Sequence, residues 1–456
     1  MKSTPFQIIL LAIFGAAAVV GVLVFAILTS SSSSSTAGPV VIWGTLDEKV
    51  IGQLIQDSTN GNENLAKVTY VQKDPSTFEN ELTRALAGGT GPDLIFFDQD
   101  IAVKDLNELS PIPYTEMTAS QFQNIFIDAA NPLLTPDGIA GFPILADPLV
   151  MYWNKDLLAS AGLTQPPAQW SQLFTSLMQS LNQRDDSGSI KQSLIALGEY
   201  DNVDHAKDIL STLIMQAGGT VTVIDSATGL PVTALTRQDP TKKVPGVPAE
   251  SALRFYTEFA DASKNNYAWN HSLPSSIQAF TQGSLALYLG LASEESVIAA
   301  TNPNLRFAVA RVPQSTASGV TTARVYALGI CRGAQNPVGA KIIAYTLATK
   351  QMSQAIAEGY HMVSARRDAL QAIIAQTSDT NTSTDNARNA VVGNVTTKQV
   401  VVAQSATIAQ TWADPDPQKT DVMFRAMIED VTSGATQITE AVSRANAQLL
   451  AAIDGK

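Results

Sequence analysis

The run Gly-Phe-Pro-Ile-Leu-Ala-Asp-Pro-Leu-Val-Met-Tyr-Trp-Asn-Lys-Asp at residues 141–156 constrains the fold more than any other stretch. Apolar residues flank an Asp147-Pro148 pair, and proline has no amide hydrogen to give to a sheet ladder. One continuous central strand is therefore not expected. The reading is a strand over 139–145, a break at 147–148 and a second strand over 149–153. Asn154 stands where a helix cap belongs, before a helix over 155–161 that Gly162 ends. A chain that leaves one sheet here and enters another makes a candidate hinge between two lobes.

The chain before this run alternates in type. Residues 40–43 read as a strand, and Leu46, Val50, Ile51, Leu54 and Ile55 recur at helical spacing. A strand over 67–71, a helix marked by Phe78, Leu82, Ala85 and Leu86, and a strand over 93–97 follow. That order implies parallel pairing with right-handed crossovers, an α/β arrangement. The glycines at 88, 89 and 91 follow a helix instead of opening one, and no Gly-Lys-Ser/Thr is present, so they read as a turn and not a phosphate cradle. Beyond the run, Trp170, Leu173, Phe174, Leu177, Met178 and Leu181 form a helical apolar stripe. Strands are expected at 194–197, 285–289, 305–313 and 323–331, and helices at 338–349, 352–357, 423–431 and 438–453.

Residues 6–28 carry no charge over 23 positions, roughly 34 Å of helix at ~1.5 Å per residue, enough for a ~30 Å hydrocarbon core. Lys2 precedes the segment, which points its start towards the cytoplasm and the body outward. Residues 1–29 are expected to be a transmembrane anchor, with a long signal peptide as the alternative, and 30–39 a serine-rich tether. The expected location is the cell membrane, single-pass, with the body on the extracytoplasmic side.

Charge and cysteine narrow the function classes. Net charge is −12, from 29 basic and 41 acidic residues without a basic run, so nucleic acid is not an expected partner. The single cysteine, Cys331, forbids an internal disulfide. Three scattered histidines, 205, 271 and 361, cannot assemble a zinc set with it, and no metal or cofactor is expected. His205, near a helix start, reads as structural or surface, like the other two. There is no Gly-x-Ser-x-Gly elbow, and enzyme function is not expected.

Three segments carry a resemblance. Residues 141–170 combine Gly-Phe-Pro, an apolar strand, aromatic-Asn-Lys-Asp-Leu-Leu, Ala-Gly-Leu, Pro-Pro and Trp. Residues 86–97 read Leu-Ala-Gly-Gly-Thr-Gly-Pro-Asp-Leu-Ile-Phe-Phe, and 279–287 read Ala-Phe-Thr-Gln-Gly-Ser-Leu-Ala-Leu. Together they resemble the extracellular solute-binding proteins of family 1, the maltose-binding-like receptors of ABC importers. The resemblance covers roughly 40–453. It implies a two-lobe, periplasmic-binding-protein-like (type II) fold with three hinge crossovers near 144–148, 307–313 and 331–338. Lobe one would be 40–145 plus 310–332, and lobe two 148–308 plus 335–456. It further implies a monomeric receptor that closes on a small solute, a sugar or oligosaccharide, and meets ABC permease subunits. A sensor or scaffold without a transport role and a tethered carbohydrate-active enzyme are the alternatives.

Strand ends facing a cleft supply polar groups for hydroxyls and aromatic faces for rings. Carried over by position, the resemblance points to Asp47, Phe97, Asp100, Asp147 and Tyr200. Trp412, in a polar stretch without an apolar stripe, joins them as a stacking candidate. Against these roles stand ordinary ones: a helix cap or solvated loop for each aspartate, and core for Phe97 and Tyr200. The segment after Gly290, Leu-Ala-Ser-Glu-Glu, departs from the pattern by lacking the aromatic that many sugar binders place there.

Overall fold

Strands β1 (Val40–Gly44), β2 (Val68–Gln72) and β3 (Leu94–Asp98) pair in parallel in the order β2-β1-β3, as their alternation with helices requires. The crossovers are α1 (Glu48–Ser58), which buries Ile51 and Ile55, and α2 (Phe78–Ala87), which buries Phe78 and Leu82. The molecule is known from a computed structural model that describes residues 37–59, 61–100, 106–174, 176–225, 227–238, 246–315, 319–376, 391–392 and 395–455. The expected membrane segment and nearly all of the tether lie outside those residues. Among the described residues no helix is long and apolar enough to cross a membrane.

The run at 141–156 forms one unbroken strand, β4 (Phe142–Asn154), buried along its whole length. The expected break at Asp147-Pro148 does not occur. What changes there is the partner. Residues 142–148 pair antiparallel with β9 (Thr321–Ile330), and Leu149–Trp153 pair antiparallel with β7 (Leu285–Leu291). Pro148 sits at the handover, where a missing amide hydrogen costs the ladder least. Gly141 leads in because a Cβ there would stand 2.7 Å from the carbonyl oxygen of Leu328. Asn154 caps α3 (Lys155–Ser160), its side chain accepting from the amides of Asp156 and Leu157.

Around β4 the described residues form an eleven-stranded assembly in the order β2-β1-β3-β9-β4-β7-β6-β5, where β6 is Ile190–Ile195 and β5 Gln183–Arg184. Strands β8 (Phe307–Ala310) and β10 (Val363–Ser364) add to β4, and β11 (Ala409–Gln410) adds to β9. The first half is thus built on β1, β2, β3, β9, β10 and the start of β4. The second is built on the end of β4 with β5 to β8, and α4 (Ala206–Gln216) and α5 (Pro248–Thr257) pack on each other there.

Two of the expected boundaries move. Ala310 still pairs with Met151, and Gln314 bonds to Ala168 and Gln216, so the first half does not begin at 310. Nor does the chain return to the second half near 331–338. Asn336 Nδ2 donates to the carbonyls of Ala37 and Pro39, at 2.6 and 2.9 Å. Helices α6 (Pro337–Leu347) and α7 (Lys350–Gly359) pack on the first half, and α8 (Arg367–Ala375) follows them there. The return comes after α9 (Thr397–Thr407), through β11, into α10 (Pro417–Thr432) and α11 (Ile438–Asp454), which pack on α5. The apolar stripe at 170–181 is also not one helix. It is a 3-10 turn at Trp170–Phe174 followed by a helix at Ser176–Leu181.

Candidate functional site

A cleft of about 560 Å³ opens where the two halves face each other. The first half contributes Asp100, just past β3, and Arg324, on β9. The second contributes Tyr200, the start of α4 from His205 to Asp208, and Gln418 and Asp421 at the start of α10. A narrow extension of about 20 Å³ runs between Gln99, Thr322 and Trp412.

Helix α4 begins unusually. His205 occupies its cap position with φ 61°, a left-handed conformation uncommon for a non-glycine residue, and its side chain makes no capping bond. The ring is held instead by two carboxylates: Nε2 lies 2.6 Å from Glu294 and Nδ1 3.6 Å from Asp208. Burial works to lower its pKa, but the bonds to Asp208 and Glu294 outweigh it and push it up to about 9. The imidazole is therefore charged at neutral pH, with Nε2 donating to Glu294 and Nδ1 in a longer ion pair with Asp208.

Lys207, one residue into the first turn, directs Nζ at Asp414 (2.7 Å), Thr420 Oγ1 (2.8 Å) and the Pro417 carbonyl (3.5 Å). Burial opposes its charge, yet Asp414 and Asp100 hold its pKa above the usual lysine value. Asp208 faces Arg324 Nη2 at 3.6 Å. Burial works to raise Asp208, but His205 and Arg324 hold it down at about 2.

Asp100 is different. Burial, then the charges of Asp98 and Asp414, push it up to about 8, with Lys207 opposing. Among the described residues its carboxylate accepts a single long bond, 3.3 Å from Gln99 Nε2. Asp98, which accepts from the Asp100 amide at 3.0 Å, is also raised by burial, against the pull of Arg324. Across the cleft, the Tyr200 hydroxyl donates to Asp421, and the Arg425 guanidinium lies 5.0 Å over the Tyr200 ring.

Of the six residues singled out in the sequence, Asp100 and Tyr200 line the cleft and Trp412 its extension. Trp412 is 7% exposed, stacked on Phe424 and bonded through Nε1 to Ser211 Oγ, so it presents little face to a ligand. Phe97 is core, packed under Gly329, where a Cβ would meet its ring at 2.8 Å. Asp47 caps α1, accepting from the Lys49 amide at 2.9 Å, and lies outside the cleft wall. Asp147, 1% exposed in β4, accepts from the Ser293 amide (3.0 Å) and hydroxyl (2.6 Å). Burial pushes it up to about 6 against those two bonds.

His205, Lys207, Asp208, Arg324 and Asp421 escaped the sequence reading. One signal was available: Arg324 is the only charge in the ten-residue apolar strand Thr321–Ile330. The wall as a whole can hydrogen-bond a polar solute, while the Tyr200 ring, 9% exposed and covered by Arg425, offers it little stacking face. Among the described residues no group of three or more His, Cys, Asp or Glu is placed to hold a metal ion.

Comparisons with known proteins agree with this architecture. Over 94 residues the chain is 30% identical to a chain named as a binding protein in Brucella abortus (strain 2308), and equally to one in Brucella suis biovar 1 (strain 1330). The match covers 20% of this chain and 23% of each relative's length. The structure superposes on a cyclic α-maltosyl-1,6-maltose binding protein from Arthrobacter globiformis with a TM-score of 0.68 at 16% identity, covering 92% of this chain and 100% of that one. For a cyclo/maltodextrin-binding protein complexed with maltotetraose the TM-score is 0.67 at 15% identity, covering 92% and 98%. For an ABC transporter solute-binding protein of Thermotoga lettingae TMO, bound with α-D-tagatose, it is 0.63 at 18% identity, covering 91% and 100%. At such identities the likeness establishes the two-domain α/β fold. A family model described as bacterial extracellular solute-binding protein matches residues 53–389, and the chain belongs to that family.

Proposed function

We propose that the protein is an extracytoplasmic receptor that binds a sugar or oligosaccharide in the cleft between its halves and presents it to an ABC importer. The observation that carries this reading is the two-sided wall: Asp100 and Arg324 come from one half, and Tyr200, His205, Lys207 and Asp421 from the other. A solute touching both sides favours the conformation in which they approach, so binding and closure are linked. The bound ligands of the solved relatives, tagatose and maltotetraose, support a sugar. The uncharged run at 6–28 supports a membrane tether, which would keep the receptor near its permease.

Calorimetric titration and thermal shift of the full-length protein in detergent, against mono- and oligosaccharides, test the reading. A ligand at a hundred times its Kd stabilises the folded protein by about 2.7 kcal/mol. Failure of every sugar to bind or stabilise would sink the proposal. Mass spectrometry of the native N-terminus tests the tether, since cleavage beyond residue 28 would remove it.

A further inference from the structure

Donors and acceptors on the cleft wall are unequally committed. Both ring nitrogens of His205 are engaged by Glu294 and Asp208. The three protons of Lys207 point at Asp414, Thr420 and Pro417. Arg324 sets one nitrogen 3.6 Å from Asp208 and keeps the rest of its guanidinium for a solute. The acceptors are freer. Among the described residues Asp100 faces no base within ion-pair distance and takes one weak amide bond. Among the described residues Asp421 meets a neutral phenol, whose oxygen keeps its own acceptor capacity.

The charge balance points the same way. In or directly behind the wall stand six carboxyl groups, Asp98, Asp100, Asp208, Asp414, Asp421 and Glu294, against four bases, His205, Lys207, Arg324 and, over the Tyr200 ring, Arg425. Neighbouring carboxylates hold His205, Lys207 and Arg324 in their charged forms against burial. Burial first, and then the charges of Asp98 and Asp414, raises Asp100. The start of α4 would by itself favour an anion. Asp208, in its first turn, already supplies that negative charge.

We propose that the solute received by this cleft carries a protonated amine, seated against Asp100 and the Tyr200–Asp421 pair, with Arg324 left to meet its hydroxyls. The inference rests on the receptor reading above and names the substrate class, a polyhydroxylated amine such as an amino sugar. An ammonium brings three donors and one positive charge to a wall with acceptors in surplus. It also displaces a proton. Burial first, then Asp98 on β3, Asp414 before α10 and Asp208 on α4, leaves Asp100 protonated at mildly acidic pH, against the pull of Lys207 on α4 and Arg324 on β9. A bound cation drives that proton off.

The test is titration calorimetry of the full-length protein at pH 6.5, in buffers of different ionisation enthalpy. The probes are D-glucosamine and its β-1,4 dimer, the N-acetylated forms, glucose and cellobiose, galacturonate, and putrescine. The expected result is binding of the free amines at least tenfold tighter than of their acetylated or hydroxyl counterparts. Release approaching one proton per bound amine should accompany it. Asp100→Asn should weaken amine binding at least tenfold and abolish the release. The buffer dependence in the unmodified protein carries the test if that variant folds poorly. Neutral sugars binding as well as the amines, without proton release, would overturn the inference and leave the sugar receptor standing. Tighter binding of galacturonate would overturn it in favour of an anion. Putrescine binding with proton release while every sugar fails would uphold the amine and remove the sugar. Silence from all the probes would overturn both.

Discussion

Asp100 and Asp147 are two aspartates that burial holds above the ordinary carboxylate range, and their surroundings could hardly differ more. Asp147, on the shared strand, is answered by the amide and hydroxyl of Ser293 at 3.0 and 2.6 Å. It ties β4 to the turn after β7 and is complete without a ligand. Asp100, past the end of β3, has among the described residues a single amide contact at 3.3 Å, with Asp98, Asp414 and Lys207 as its charged neighbours. Both raised values arise from burial, so the shift alone does not separate a structural acid from a binding one. The supply of partners does.

Four changes would break or sharpen that contrast. The largest effect is expected from Lys207→Met. Asp414 is 2% exposed, and losing its cation should cost about 3–5 kcal/mol in urea unfolding. A variant as stable as the parent would show that the lysine is not committed as described.

Next is the pH dependence carried by Asp147. Its folded pKa of about 6 lies above the unfolded ~3.9, so its contribution is fully present below pH ~4 and is lost as pH rises through about 6. The size is roughly 3 kcal/mol at ~1.4 kcal/mol per pKa unit. In Asp147→Asn, unfolding measured from pH 4 to 7 should lose that part of the slope, and an unchanged slope would put the titration elsewhere.

Tyr200→Phe removes the donor to Asp421 and an acceptor from the wall. Solute affinity should fall about tenfold, with a stability change of only about 0.5–1.5 kcal/mol. Equal affinity would take the Tyr200–Asp421 pair out of the site.

The smallest effect belongs to Asp47→Ala. Losing this cap should cost about 1 kcal/mol and leave affinity unchanged. A loss of affinity would return Asp47 to the cleft.

Much of the fold was legible because it is local. The β-α-β-α-β order of 40–98, the Asn154 cap and the change of sheet at Pro148 all follow from periodicity and turn chemistry. The continuity of β4 was not legible. Whether a proline breaks a strand depends on whether its missing amide is wanted, and that depends on partners 140–180 residues away. The placing of α6 to α8 on the first half failed to show for the same reason, since their apolar faces fit either sheet. In the site, Asp100 and Tyr200 could be found because they follow strands. His205, Lys207 and Asp421 sit on helix starts that only tertiary packing turns towards one cleft. Asp47 and Phe97 also follow or end strands, yet a cap and a core are where they settle.

The unbroken β4 has a consequence for how the molecule comes apart. One thirteen-residue strand is interior to both halves, with β9 and β10 along its start and β7 and β8 along its end. Neither half can melt its middle without stripping the ladder that continues into the other. The two halves should therefore unfold together, in one cooperative heat-absorption peak, although the chain is long enough for two independent ones.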